Sequence, residues 1–263
     1  MLAEISAAVA AELLKVRRSI VPWVTLAGIS LAGLVGGFFM FVLQDPERAR
    51  RFGLLGTKAQ LAGGATDWSG YFGLTAQMAT VGGLILFGVV VIWLFGREFS
   101  DGTAKDLMAL PTSRAAIVTA KLTVALVWCL VLTLLLVIYA LVIGSVLALD
   151  GWSTTTLLRG AGRILAGGLL TVALCSTYAL VASVARGYLA AFGALFLTLF
   201  AAQVVSAVGY GAWFPWAVPS LLAGAGGPES AQPGIGGIAA VLAVAVASVG
   251  ATVLWWERAD HPR

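Results

Sequence analysis

Six long apolar runs, separated by short polar breaks, set the pattern of this chain. They fall near Ile20–Leu43, Tyr71–Phe95, Leu122–Leu149, Leu157–Val184, Tyr188–Val208 and Ile235–Trp256. Each holds the roughly 20 apolar residues that a helix rising about 1.5 Å per residue needs to cross a hydrocarbon core about 30 Å thick. The pattern predicts an all-α polytopic membrane protein, with one transmembrane domain over residues 1–263. "KVRRS" precedes the first run, as a signal peptide's basic region would. That run is too long for a signal core, and no small-x-small cleavage site follows, so the expectation is a retained first span.

Composition agrees. Of 263 residues, 60% are hydrophobic and 11% charged, with a mean hydropathy of +0.98. A water-soluble chain of this size could not hide so much apolar surface. The net charge of +4 suggests an anionic partner. The bases flank the apolar runs and form no stripe, which favours a membrane surface over nucleic acid. Cys129 and Cys175 both fall inside apolar runs, where a thiol serves as a small packing residue.

The bases also orient the spans. With both termini in the cytoplasm, the inner segments carry ten Lys and Arg and the outer segments six. The outer loop "QDPERARRFGLLGTK" opposes this bias, but no base occurs from Tyr210 to Gly234, before the last span. The rule that inner loops are basic then places both termini inside the plasma membrane and the segment after span two in the cytoplasm.

Several chemistries are disfavoured. Ion-coupled carriers need ionisable groups at depth, and the middle of every span lacks Asp, Glu, Lys and His. Gln77 and Gln203 are expected to bond neighbouring helices. Arg159 and Arg163, one turn apart at the start of span four, are expected to snorkel to headgroups. No glycine opens a G-x-x-x-x-G-K-[ST] phosphate loop, and a single tail histidine, His261, supplies neither a catalytic triad nor a zinc site. The chain is not expected to be an enzyme.

The densest polar break is "GREFSDGTAKDLMALPTSR", Gly96 to Arg114. Ser100 or Asp101 is expected to cap a short helix from about Gly102 to Leu110. On it Leu107 shares a face with Leu110 and with Thr103, while Lys105 and Asp106 point elsewhere. Pro111 ends it, and Thr112 or Ser113 caps span three. From the residues alone, this is equally a solvated connector or a rigid lever between two spans.

"FGREFSDGTAKDLMALPTSRAAIVTAKL" resembles the central cytoplasmic loop of ABC-2-type permeases, the membrane subunits of a large group of ABC exporters. Those proteins share a run E-[FY]-x-x-G-T-x-[KR]-x-L-x-x-x-P-x-[ST]-R after the second span. Here Glu98, Phe99, Gly102, Thr103, Lys105, Leu107, Pro111, Ser113 and Arg114 occupy those places. The motif spans about twenty residues, "AELLKVRRSIVPW" resembles the family's entry into span one, and the six-span layout agrees. The resemblance implies a coupling helix in the cytoplasmic loop 96–121, with Glu98, Phe99, Asp101, Gly102, Thr103, Lys105, Asp106 and Leu107 meeting a separate ABC ATPase subunit. That partner would bind ATP and Mg, with no cofactor on this chain and a second permease subunit completing a homodimer. It also implies an N-terminal amphipathic interfacial helix, with Ile5, Val9, Leu13 and Val16 along one side and Glu4, Glu12, Lys15 and Arg17 among the rest.

Before the last span, Trp213, Phe214 and Trp216 cluster beside Pro215 and Pro219. They are either a re-entrant or interfacial half-helix, forming an outer gate or substrate path, or an ordinary aromatic belt. The expected function is the permease subunit of an ATP-driven exporter of hydrophobic or amphipathic substrates. The alternative is a non-transporting scaffold or assembly factor of the same topology.

Overall fold

The computed structural model describes residues 2–53, 65–109, 111–225 and 232–258. Leu110, Lys58 and His261 lie outside the described residues, as do parts of the two outer loops. Among the described residues all regular structure is helical. Helix α1 is Leu2–Arg17, α2 Val21–Leu43 and α3 Pro46–Arg51. Helix α4 runs Trp68–Ser100, interrupted by a π-turn at Met78–Gly82. The short α5 is Ala104–Met108, followed by α6 Arg114–Val146, α7 Thr154–Val184 and α8 Leu189–Ala207. A turn at Gly211–Trp213 and the short α9, Val218–Leu222, precede α10, Ile235–Arg258.

Helices α2, α4, α6, α7, α8 and α10 are each long and apolar enough to cross a membrane. Their centres agree with the hydropathy pattern, but α4 and α6 extend further. Arg97, Glu98 and Ser100 continue α4, and Arg114 to Lys121 already belong to α6. The polar break is therefore shorter than residues 96–121. Charge ended the apolar pattern before it ended the helix, because a helix end outside lipid tolerates polar residues.

Helix α7 is the centre of the bundle, packed on α4, α6, α8 and α10. Small residues let it approach closely: a Cβ at Gly160 would lie 2.3 Å from the Phe72 ring, and one at Gly168 2.7 Å from Thr133. Close approach of backbones replaces the hydrophobic drive that is missing between helices in lipid. Hydroxyl and indole groups add polar ties. Trp128 donates to Thr25 at 3.0 Å and Tyr139 to Ser30 at 2.9 Å, joining α2 to α6. Trp256 donates to Ser183 at 2.9 Å, and Thr177 meets Ser248 at 3.0 Å, joining α7 to α10. Gln77 and Gln203, expected in this role, make no side-chain hydrogen bond among the described residues; hydroxyls, most of them paired with an indole or a phenol, do so instead. Cys129 and Cys175 are buried and unbonded.

Gly160 and Gly162 provide a paired test of this packing, since a Cβ at Gly162 meets nothing within 4 Å. Gly160→Leu should destabilise the detergent-purified protein by about 1–3 kcal/mol, read from the unfolding midpoint. Gly162→Leu should stay within about 0.5 kcal/mol of the parent.

Candidate functional site

Three elements converge where α4 ends. Glu98 lies in its last turn, four-hundredths exposed as a residue. Lys121, two turns into α6, is fully buried. Helix α1 lies along α6 and contributes Glu12, also buried, and Lys15. Lys121 Nζ donates to Glu98 Oε1 at 3.0 Å and to the Leu94 carbonyl at 2.8 Å, and sits 3.1 Å from Glu12 Oε1. Lys15 Nζ donates to Glu98 Oε1 at 2.6 Å and to Glu12 Oε1 at 2.8 Å. The second Glu98 oxygen accepts from the Thr103 hydroxyl at 2.7 Å.

Two carboxylates thus face two ammonium groups, and the cluster is neutral. Lys121 makes two hydrogen bonds and has a third oxygen at ion-pair distance, the pairing that a buried ammonium requires. Burial works against the charge on Lys15, but hydrogen bonds to Glu12 and Glu98 outweigh it and hold its pKa above the ordinary lysine value. A raised lysine pKa stabilises the fold below the unfolded value, and that contribution is lost only as pH climbs through the raised one. The Lys15 pairing is therefore constant around neutrality.

The loop that follows is held to this cluster. Gly102 has φ +72°, a left-handed turn that a side chain would strain, and it reverses the chain after α4. Thr103 then begins α5 with its hydroxyl committed to Glu98, so neither Ser100 nor Asp101 caps this helix. Ser100 remains inside α4, and Asp101 pairs with Arg97 at 3.1 Å. Ala104 is buried, and Leu107 and Met108 pack on the core, while Asp101, Lys105 and Asp106 are exposed. Ser113 caps α6 by accepting from the Ala116 amide at 3.3 Å, as the sequence suggested. Arg114 reaches the end of α10, donating to the Trp256 and Glu257 carbonyls at 3.0 and 3.3 Å. There it satisfies orphan C-terminal carbonyls and meets the negative end of the helix dipole.

Phe99 lies against Trp255 and Trp256 of α10, with ring centroids 5.8 Å away in both cases. The predicted loop residues thus divide by position. Glu98 is buried and Phe99 and Leu107 are half-buried against the core; Gly102 and Thr103 are exposed, with the Thr103 hydroxyl turned back to Glu98; Asp101, Lys105 and Asp106 face outward. The sequence did not single out Glu12, Lys15 and Lys121 as a set. Glu12 and Lys15 sit one turn apart on α1, yet the inward face is Val9, Glu12, Lys15 and Val16, with Leu13 turned out. An apolar-stripe criterion selects the wrong face here, because charge rather than hydrocarbon marks the buried side.

At the opposite end, the three aromatics separate. Trp213 is three-quarters exposed and lies over Gly236, where a Cβ would be 3.2 Å from its ring. Phe214 and Trp216 pair at 5.5 Å, and Trp216 packs inward on the core. Beneath Trp216, a cavity of about 10 Å³ bounded by Thr80, Thr171 and Gln203 has room for about one water. Arg159 and Arg163 are exposed at this end.

The cluster predicts non-additive energetics. Lys121→Met should cost about 3–5 kcal/mol, since it leaves buried carboxylate charge unpaired. Adding Glu98→Gln should recover part of that loss, because Lys15 and Glu12 then remain as a matched pair. Unfolding midpoints in detergent measure both; an equal or larger loss in the double variant would mean the charges act separately.

The family described as "ABC-2 family transporter protein" matches residues 8–203. That span covers all four members of the charge cluster and the loop, and ends before the outer aromatics and α10. The bacitracin transport permease protein BCRB of Bacillus licheniformis is 29% identical over 179 residues, 68% of this chain and 85% of that protein.

Proposed function

The chain belongs to the ABC-2 family of transporter permeases, multi-pass membrane subunits that are not themselves catalytic, and from that premise we propose that residues 101–109 are the contact through which a separate ATPase drives export. The observation that carries this is the suspension of α5. Its outward face offers Asp101, Lys105 and Asp106, while its inward side is bound to Glu98 through Thr103 and to the core through Leu107. A displacement of α5 by a docked chain therefore reaches α4 directly. Through the Glu98 carboxylate it reaches Lys15 on α1 and Lys121 on α6 as well. Glu98, Gly102 and Thr103 act in this reading as positioning residues, and ATP and Mg are bound by the partner.

The same reading places both termini and α5 in the cytoplasm, on the excess of bases among the inner segments. It makes the whole chain one transmembrane domain and α1 an interfacial helix held by charge. Cargo is hydrophobic or amphipathic, because the spans carry little charge at depth. The outer cavity beneath Trp216 is far too small for such cargo. A path shared with a second permease subunit, most simply a copy of this chain, fits that size, with Trp213, Phe214 and Trp216 at its outer mouth.

Lys105→Glu combined with Asp106→Lys inverts the exposed charges without touching a buried contact. It should cut the amount of ATPase that co-purifies by about tenfold or more, with the protein still membrane-embedded. Undiminished co-purification would remove residues 101–109 from the interface. For orientation, Lys105→Cys should react with an impermeant maleimide only in opened cells, and Thr155→Cys in intact cells. Bacitracin, the compound in the relative's name, is the first cargo to test for stimulation of ATP hydrolysis. ATPase association that no cargo stimulates would fit the scaffold alternative instead.

A further inference from the structure

Beside the buried cluster, at the same end of the bundle, a cavity of about 310 Å³ opens between α1 and α4. It is lined by Leu14, Lys15, Arg18, Ser19, Trp93 and Arg97. Three of the six carry positive charge and none is acidic. Lys15 and Lys121 balance Glu12 and Glu98, and Asp101 offsets Arg97. Arg18 is exposed and has no carboxylate partner among the described residues. Among the six lining residues Arg18 is therefore the one cation left unbalanced. Of its remaining walls, Leu14, about half exposed, and the Trp93 indole, 5.3 Å from the Arg97 guanidinium, are apolar, and the Ser19 hydroxyl donates to the Val16 carbonyl at 3.1 Å.

We propose that this cavity binds the phosphodiester headgroup of an anionic phospholipid. One negative charge on a phosphodiester matches the one unbalanced cation, and guanidinium groups give the forked donors that phosphate oxygens accept. The volume lies at the low end of ligand sites, enough for a headgroup but not for a whole lipid. The acyl chains stay in the bilayer along Leu14 and the exposed Trp23 at the start of α2. Trp93 and Trp23 mark this level as the membrane–water interface, where indoles concentrate. A phosphate held here touches α1 through Lys15, the turn after α1 through Arg18, and α4 through Arg97, so it bridges two of the helices that Glu98 joins. The site rests on the six spans and not on ATPase docking, and it is tested without the ATPase.

The chain is reconstituted alone into phosphatidylcholine nanodiscs containing a minor fraction of phosphatidylglycerol, and the lipids it retains are counted by native mass spectrometry. The wild-type protein should retain one phosphatidylglycerol in clear excess over its share of the bilayer. Arg18→Gln should reduce that preference about fivefold, as expected for one basic group at an anionic surface. Arg97→Gln should do the same, and Arg163→Gln, at the far end of α7, should leave it unchanged. Retention unaltered in Arg18→Gln and Arg97→Gln would overturn the assignment, as would an equal loss in Arg163→Gln. Release of the lipid by millimolar inorganic phosphate would show a site for the free anion and would also overturn it.

Discussion

One carboxylate organises the end of this bundle that carries the loop. Glu98 closes α4 with two lysines on one oxygen and a threonine hydroxyl on the other. A negative charge near a helix C-terminus is unfavourable against the helix dipole. It is also costly to bury. Both costs vanish only when α1 and α6 bring their ammonium groups to it. The position of α1, the depth of Lys121 and the direction of the chain after Gly102 all follow from that requirement. Phe99, the next residue, does for α10 with its ring what Glu98 does with charge.

This arrangement joins specificity to stiffness. Apolar contacts among membrane helices slide easily, because lipid competes with them on nearly equal terms. A neutral set of two acids and two bases needs each charge beside its partners, so it fixes three helices, α1, α4 and α6, relative to each other. The loop then needs no core of its own. A five-residue helix is far below the length that is stable alone, and α5 persists because Thr103 and Leu107 hold both its ends to something rigid.

The architecture was largely legible in the sequence, since length and hydropathy suffice to count spans in a solvent that excludes polar backbone. The loop's course was legible in part. Ser113 announced its cap by type and place, but Ser100 looked equally suited and proved to be ordinary helix. The difference lies in Gly102, whose positive φ sets the turn two residues later. The charge cluster was not legible, because Glu12 and Lys121 are far apart in the chain and each reads alone as a residue near a membrane surface. Only the packing of α1 along α6 makes them neighbours. The outer aromatics also looked like one group, whereas Trp213 and Trp216 turn to opposite sides of the turn between them.

The closure of the cluster also has an order in time. During synthesis Glu12 and Lys15 leave the ribosome first, Glu98 follows, and Lys121 comes last, after two spans have already been placed. Until then Glu12, Lys15 and Glu98 lack the Lys121 ammonium, and charge without its full set of partners is held at less cost in water or among headgroups than in lipid. The third span brings the one ammonium that meets Glu12 on α1 and Glu98 on α4 together. The pairing of α1 with α6 is thus completed only once α6 is made, and the same late step completes the frame on which the loop hangs.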